Sequence, residues 1–68
     1  MPVIYTETYR GYLLVFKMDK TTKRFYFTVT KEDTLLIEGN IISLLIGLKM
    51  VKRCVDIYED EKKEYIQY

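Results

Sequence analysis

Residues 9–38 decide the fold of this 68-residue chain, and they read YRGYLLVFKMDKTTKRFYFTVTKEDTLLIE. Residues 9–18 and 24–30 are rich in aromatic and branched apolar side chains, which is typical of β-strands. The polar residues 19–22 lie between them and suit the loop of an antiparallel hairpin. A third strand is predicted at residues 34–38, so the stretch favours a three-stranded antiparallel meander.

The two turns of this meander set its expected register. The first turn pairs Met18 with Lys23, and the second pairs Thr30 with Thr34. Directly paired residues share a face of a sheet, so both turns place one apolar set on the same side. That set is Tyr12, Leu14, Phe16, Phe25, Phe27, Val29, Leu35 and Ile37. Because a one-residue slip at either turn would split this set, the agreement of the two turns supports the meander.

A helix is predicted at about residues 41–58, after Gly39 and Asn40 break the third strand. The Asn40 side chain can cap this helix by accepting hydrogen bonds from N–H groups of the first turn. Apolar residues recur along it at helical spacing and should cover the sheet. This expected sheet-facing stripe is Leu44, Leu48, Val51, Val55 and Tyr58, widened by Met50, Cys54 and Ile57.

The two ends of the chain are left open by the sequence. Residues 3–5 could add a short strand at either edge of the sheet. Residues 59–68 could extend the helix through Tyr65 and Ile66 or turn back as a hairpin, and we favour a loose tail. Since no linker, repeat or low-complexity segment appears, residues 1–68 are predicted to form a single small α+β domain in which one helix packs on the meander.

The composition excludes several classes of protein. Charged residues make up 31% of the chain and hydrophobic residues 49%, which argues against disorder. Cys54 is the sole cysteine and there is no histidine, so an internal disulfide, a Cys/His zinc site and a histidine-based triad are excluded. The acidic run at residues 59–64 is typical of a solvated face. We therefore expect no catalytic residue, no cofactor and no metal, and a protein that is not an enzyme.

Location follows from what the sequence lacks. The N-terminus has no basic region followed by an apolar one, as a signal peptide would have. No apolar run reaches the roughly 18 residues of a membrane span, and the longest, residues 41–48, contains Ser43 and Gly47. A single unpaired thiol favours a reducing compartment. We expect a cytoplasmic protein with no membrane partner.

Several apolar residues have no place in the expected core. They are Ile42, Leu45 and Ile46 on the polar side of the predicted helix, and Leu13, Val15 and Leu36 on the outer face of the sheet. A domain this small cannot bury both sets, and contiguous exposed apolar area marks protein interfaces. The sequence therefore predicts a protein interface at Ile42, Leu45, Ile46, Leu13 and Val15, used by a homodimer or by a larger protein partner. A different helix phase, or a tail folded over the patch, is the alternative.

A basic hairpin supplies a second candidate surface. Lys17, Lys20, Lys23 and Arg24 surround the first loop beside Tyr26, a combination that can contact phosphates and stack a base. Lysines on an exposed hairpin also prevent strands from aggregating, which is the simpler interpretation. The net charge of +1 is low for a nucleic-acid binder. Nucleic-acid binding through this hairpin is therefore the alternative function.

The order of three strands and a helix carries a resemblance at the level of pattern. It is opened by YRGY at residues 9–12 and closed by VDIY at residues 55–58. This order resembles that of many small uncharacterised proteins of phages and plasmids, and is more distantly similar to HicB-type antitoxins and double-stranded-RNA-binding-like folds. The resemblance implies a mobile-element accessory protein that binds a macromolecule. The expected function is a non-enzymatic protein-binding module, for instance an inhibitor or adaptor of a larger protein.

Overall fold

The computed structural model describes residues 2–66, with side chains as far as Glu61. The elements follow in the order β1 (Val3–Tyr9), β2 (Tyr12–Asp19), β3 (Arg24–Lys31), β4 (Thr34–Ile41) and α1 (Leu44–Ile66). The strands form one antiparallel sheet in chain order, and α1 covers one of its faces. The predicted α+β class with one C-terminal helix is confirmed. The predicted number of strands is wrong, because the sheet has four.

A two-residue turn joins β1 to β2 inside the segment predicted to begin the first strand. Arg10 and Gly11 have φ values of 52° and 85°, and Tyr9 pairs directly with Tyr12. Positive φ at both central residues is the geometry of a type I′ turn, whose twist matches that of the paired strands. The short edge strand considered at residues 3–5 is therefore longer than expected, and it lies at the β2 edge.

The loop between β2 and β3 shifts the expected register by two residues. Asp19 pairs with Arg24, and the loop is closed by the Lys23 N–H, which donates to the Asp19 carbonyl oxygen at 2.7 Å. Phe16 consequently lies opposite Phe27 and not opposite residue 25. An even shift leaves every side chain on its predicted face, so the apolar side of the hairpin is as expected.

The turn between β3 and β4 contains two residues, and a β-bulge near it shifts the pairing of the two strands by one residue. Glu32 and Asp33 both have positive φ, 52° and 63°. Continued regular pairing from this turn would bring residue 36 opposite Val29, but the register shifts between residues 29 and 30 and places Ile37 there. Leu35, predicted on the core face, is paired with a residue of the outer face and is half exposed.

The strand β4 continues through the two residues that were predicted to break it. Gly39 lies opposite Phe27, where a Cβ atom would approach the Phe27 ring to 3.0 Å, so this position suits glycine. Asn40 does not cap the helix, because it stays in the strand and its Oδ1 accepts a hydrogen bond from Arg24. Ser43 takes the capping role, since its Oγ accepts from the Ile46 N–H at 3.5 Å.

The core lies between the sheet and α1. It consists of Tyr12, Leu14, Phe16, Phe27, Val29, Ile41, Val51 and Val55. The helix supplies Val51 and Val55, with Leu44 and Leu48 partly buried beside them. These four belong to the predicted sheet-facing stripe, and Tyr58, the fifth member, meets the Tyr12 ring edge-on at 6.1 Å.

The rotation of α1 about its axis differs from the prediction at the margin of that stripe. Met50, Cys54 and Ile57 were expected to widen it, but all three are exposed. The helix face that contacts the sheet is centred on Val51 and Val55, and the three margin residues lie to one side of it. Near the start of the helix, Gly47 is buried against the side chain of Ile41. The helix also extends to Ile66, so residues 59–66 continue it where a loose tail was favoured.

Replacing Gly47 with alanine is expected to lower the free energy of unfolding. A Cβ atom there would lie 1.7 Å from Cδ1 of Ile41 and 2.9 Å from its Cγ1. Overpacking of this kind costs about 1–3 kcal/mol, and alanine's better helix propensity returns about 1 kcal/mol. Urea unfolding followed by circular dichroism measures the difference.

Ile41→Val is the matched variant for this test, because it removes Cδ1. We expect Gly47→Ala to cost less in the Ile41→Val background than in the wild-type chain. An equal loss of unfolding free energy in both backgrounds would show that the Ile41 side chain does not restrict the residue at position 47.

Candidate protein-binding surface

Three large apolar side chains are exposed where the chain enters α1. The exposed fractions are 85% for Ile42, 67% for Leu45 and 64% for Ile46. We call these residues the helix-start cluster. All three were predicted to form an interface, and the structure places them at the same end of the helix. Grouped apolar exposure of this kind is typical of surfaces that bind another protein.

The local structure fixes the direction of these side chains. Ile41 points into the core at the end of β4, and the alternation of an extended chain turns the next residue, Ile42, outward. In the first turns of α1, Leu44 and Leu48 pack against the core. Leu45 and Ile46, which lie between them, face away from the sheet.

Two shallow apolar hollows flank the helix-start cluster. The first is lined by Tyr5, Leu44, Leu45 and Leu48. The second is lined by Arg24, Asn40, Ile41, Ile42, Ser43, Ile46 and Met50. The first hollow lies between α1 and β1, and the second lies between α1 and the ends of β3 and β4. The helix-start cluster therefore has an apolar hollow on each side.

The other two predicted interface residues lie on a different surface. Leu13 and Val15 belong to the sheet face that α1 does not cover, where Leu13 is 40% exposed and Val15 is half-buried. Their cross-strand neighbours include Thr6, Thr8, Thr28 and Thr30. The structure therefore divides the predicted interface into two surfaces on opposite sides of the sheet.

The residues of the predicted nucleic-acid surface lie at one end of that open face. Lys17 pairs directly with Tyr26, and Arg24 lies two residues before Tyr26 on β3. Lys20 and Lys23 are exposed in the adjoining loop. A carboxylate, Glu38, pairs with Thr28 on the same face and reduces the positive potential there.

Some surface residues were missed by the sequence analysis. Met50 and Ile57 are each 49% exposed on the outer side of α1, in line with Ile46. Their spacing gave a signal, because residues 46, 50 and 57 share a helical face. The sequence analysis assigned Met50 and Ile57 to the margin of the sheet-facing stripe, because that stripe is adjacent to this face on the helix.

Charged contacts hold the second half of α1 on the sheet. Asp56 accepts hydrogen bonds from the Tyr9 hydroxyl at 2.9 Å and from Arg10 at 2.6 Å. These bonds hold the pKa of the Asp56 carboxyl below its usual value, with Arg10 the larger cause. Lys52 contacts Glu7 at 2.7 Å, and this bond lowers the pKa of Glu7.

Tyr12 makes a further link between the sheet and α1. Its hydroxyl donates to Glu59, and Lys31 lies over its ring, with Nζ 4.7 Å from the centroid. Burial, together with the hydrogen bond to the Glu59 carboxylate, raises the pKa of Tyr12 to about 12. The phenol therefore remains a neutral donor across the physiological range.

The described part of the chain offers little chemistry beyond these contacts. Among those residues, no group of three or more candidate side chains could hold a metal ion. No helix within them combines the length and apolar character needed to cross a bilayer. Cys54, expected in the core, is a free thiol on the surface. The cytoplasmic location stays a prediction.

Comparison with protein-family models, with curated proteins and with solved structures gave no significant match. The resemblance to phage and plasmid proteins, to HicB-type antitoxins and to double-stranded-RNA-binding-like folds stays a prediction. The surfaces described above are therefore the basis for assigning a function.

The contacts of Asp56 and Glu7 predict a loss of stability in acid. Their ordinary pKa values are 3.8 and 4.5, and both are lowered in the folded chain. The stabilisation is complete above these ordinary values and is lost as the pH falls through the lowered ones. We expect the urea concentration at the unfolding midpoint to decrease when the pH is lowered below about 4.

Variants identify the carboxylates responsible for this loss. Asp56→Asn and Glu7→Gln should each lower the urea midpoint at neutral pH. The midpoint of each variant should then decrease less than that of the wild type when the pH is lowered. Glu61→Gln, an exposed position on the same helix, should keep the wild-type profile. An Asp56→Asn/Glu7→Gln chain with the full wild-type acid dependence would contradict the assignment.

Proposed function

We propose that this chain is a non-enzymatic protein-binding module that docks on a larger protein through the helix-start cluster, as an inhibitor or adaptor. The observation that carries the proposal is the exposure of Ile42, Leu45 and Ile46 at one end of the molecule. Complete burial of an isoleucine or leucine side chain contributes about 1.5–3 kcal/mol. Three such side chains supply the apolar centre on which a protein interface depends.

The surroundings of the cluster also suit a protein partner. Tyr5 borders one hollow, while Arg24 and Asn40 form a polar rim at the other. Tyrosine and arginine are enriched at interfaces because they combine contact area with hydrogen-bonding groups. A partner that inserts apolar side chains into the two hollows would cover the cluster from both sides.

The non-enzymatic part of the proposal rests on the chemistry of the chain itself. The sequence has no histidine, and its one serine, Ser43, uses its hydroxyl to cap α1. The carboxylate of Asp56 is held by Arg10 and Tyr9, which suits a structural role. The mobile-element origin implied by the resemblance is compatible with a small inhibitor or adaptor, and it is proposed on the resemblance alone.

Replacing Leu45 with aspartate should abolish partner binding and leave the fold intact. The side chain is 67% exposed, so a carboxylate there stays in water in the free chain but is buried unpaired in a complex. Affinity capture with a tagged chain, followed by reconstitution with the purified captured protein, measures the loss.

Two controls accompany this variant. Leu45→Met keeps the apolar contact and should retain the partner, while Leu13→Thr alters the open sheet face and should also retain it. If Leu45→Asp unfolds the chain, Leu45 belongs to the core and the proposal fails. If Leu13→Thr alone releases the partner, the open face is the binding surface.

A second candidate function is nucleic-acid binding by the open sheet face. The observation that favours it is the direct pairing of Lys17 with Tyr26, with Arg24 beside them. A cation next to an aromatic ring on an uncovered sheet can contact a phosphate while the ring stacks a base. Single-stranded nucleic acid fits this flat surface best, because its bases are free to stack.

This second function predicts binding that weakens with salt. The affinity for a labelled oligothymidine, measured by fluorescence anisotropy, should fall as salt rises, with a log–log slope of about 0.7 per phosphate contact. Lys17→Gln should reduce the slope, and Tyr26→Leu should reduce affinity at an unchanged slope. Lys49→Gln, on α1 across the sheet, is the control. A flat salt response would exclude this function.

A further inference from the structure

The charges of this molecule are separated between its two ends. Phe25 pairs with Ile41, so the loop between β2 and β3 lies at the same end of the sheet as the start of α1. The opposite end holds the turn with Glu32 and Asp33, and the acidic second half of α1 is attached there. The helix-start cluster therefore lies at the basic end. The exposed cations that the β2–β3 loop and the start of β3 add to this end are Lys20, Lys23 and Arg24.

The cations nearest to the helix-start cluster have little internal compensation. Residues 39–55 include the whole cluster and contain no aspartate or glutamate. Within the described side chains, the exposed Lys49 and Arg53 make no ion pair or hydrogen bond. Arg24 donates to the neutral Asn40 amide, and Asp19, which pairs with it in the sheet, offsets part of its charge.

These cations lie on both sides of an apolar row. Ile46 and Met50 line the second hollow, which Arg24 borders. The same two side chains line a third hollow, which Lys49 and Arg53 border. The row is therefore a strip of apolar surface on the outer side of α1, with positive charge on either side of it.

We propose that the segment of the larger protein that docks on this surface is an acidic amphipathic helix. Its apolar side covers Ile46 and Met50, and carboxylates on its flanks contact Lys49 and Arg53 on one side and Arg24 on the other. A helix suits the row because the row follows the axis of α1, along which a second helix can pack. The inference rests on the proposed function, since it names the chemistry of the partner that the helix-start cluster binds.

The cost of covering the cations favours an acidic occupant over a neutral or basic one. A segment that buries Ile46 and Met50 also removes water from Lys49 and Arg53, and a charge that loses water needs an opposite charge in return. A basic segment would add repulsion. The phosphates of a nucleic acid could pair with the cations, but they would leave the apolar row without an apolar partner.

The experiment selects binding helices from a displayed peptide library. Each peptide has about 20 residues, which is enough to follow the exposed part of α1. Leucine is fixed at spacings of three and four residues, and the flanking positions vary among glutamate, glutamine and lysine. We expect selection on the whole wild-type chain to enrich glutamate at the flanking positions. Enrichment of lysine or glutamine, or of none of the three, overturns the inference.

Charge variants test whether Lys49 and Arg53 cause this preference. The affinity for a selected glutamate-rich peptide, measured by fluorescence anisotropy, should fall about tenfold in Lys49→Gln/Arg53→Gln. In Lys49→Glu/Arg53→Glu, selection should enrich lysine instead. Lys62→Glu/Lys63→Glu makes the same change of net charge further along α1 and should keep the glutamate preference. If both reversals change the preference equally, net charge and not this surface selects the peptide, and the inference is wrong.

Other occupants of the surface give different results. If the wild-type chain alone dimerises in light scattering and Met50→Glu is a monomer, the occupant is a second copy. If oligothymidine binds the wild-type chain but not Lys49→Gln/Arg53→Gln, the occupant is a nucleic acid. Either result overturns the inference.

The outcomes are also distinguishable from those of the Leu45 test. The selected peptides should not bind Leu45→Asp, and peptides that still bind it lie elsewhere on the chain, which overturns the inference. A protein that is captured through Leu45 but binds Lys49→Glu/Arg53→Glu unchanged contradicts only the acidic helix. A glutamate preference that depends on Lys49 and Arg53, with no protein captured through Leu45, contradicts only the docking of a larger protein.

Discussion

The contact between Ile41 and Gly47 determines what the rest of the molecule presents to its surroundings. Ile41 ends the last strand, and its side chain fills the space where any residue larger than glycine would project from the helix. Because the helix lies so close to the sheet at this point, its rotation is fixed there. Val51 and Val55 then enter the core, and Ile46, one position before the glycine, is turned outward. The exposed surfaces therefore follow from the packing of the core.

At the other end of the helix, polar contacts replace apolar ones. Beyond Val55 the described core receives no further fully buried helix residue, and Asp56 and Glu59 reach Tyr9, Arg10 and Tyr12 instead. Such contacts are partly exposed and contribute modestly to stability, but they need specific geometry. They hold the helix in one position over the hairpin formed by β1 and β2. The acidic second half of α1 thus serves the fold on one side and remains exposed on the other.

The sequence predicted the faces of the sheet well and its turns poorly. The two-residue periodicity of β2 and β3 specified the apolar side, and an even register error left that side unchanged. The turns depend on positive φ at Arg10, Lys23, Glu32 and Asp33, which residue type alone does not indicate. The strand β1 was mostly missed because its alternation is polar. On the helix, apolar residues point in three directions, so a single stripe could not be assigned, and Met50, Cys54 and Ile57 were placed in the core.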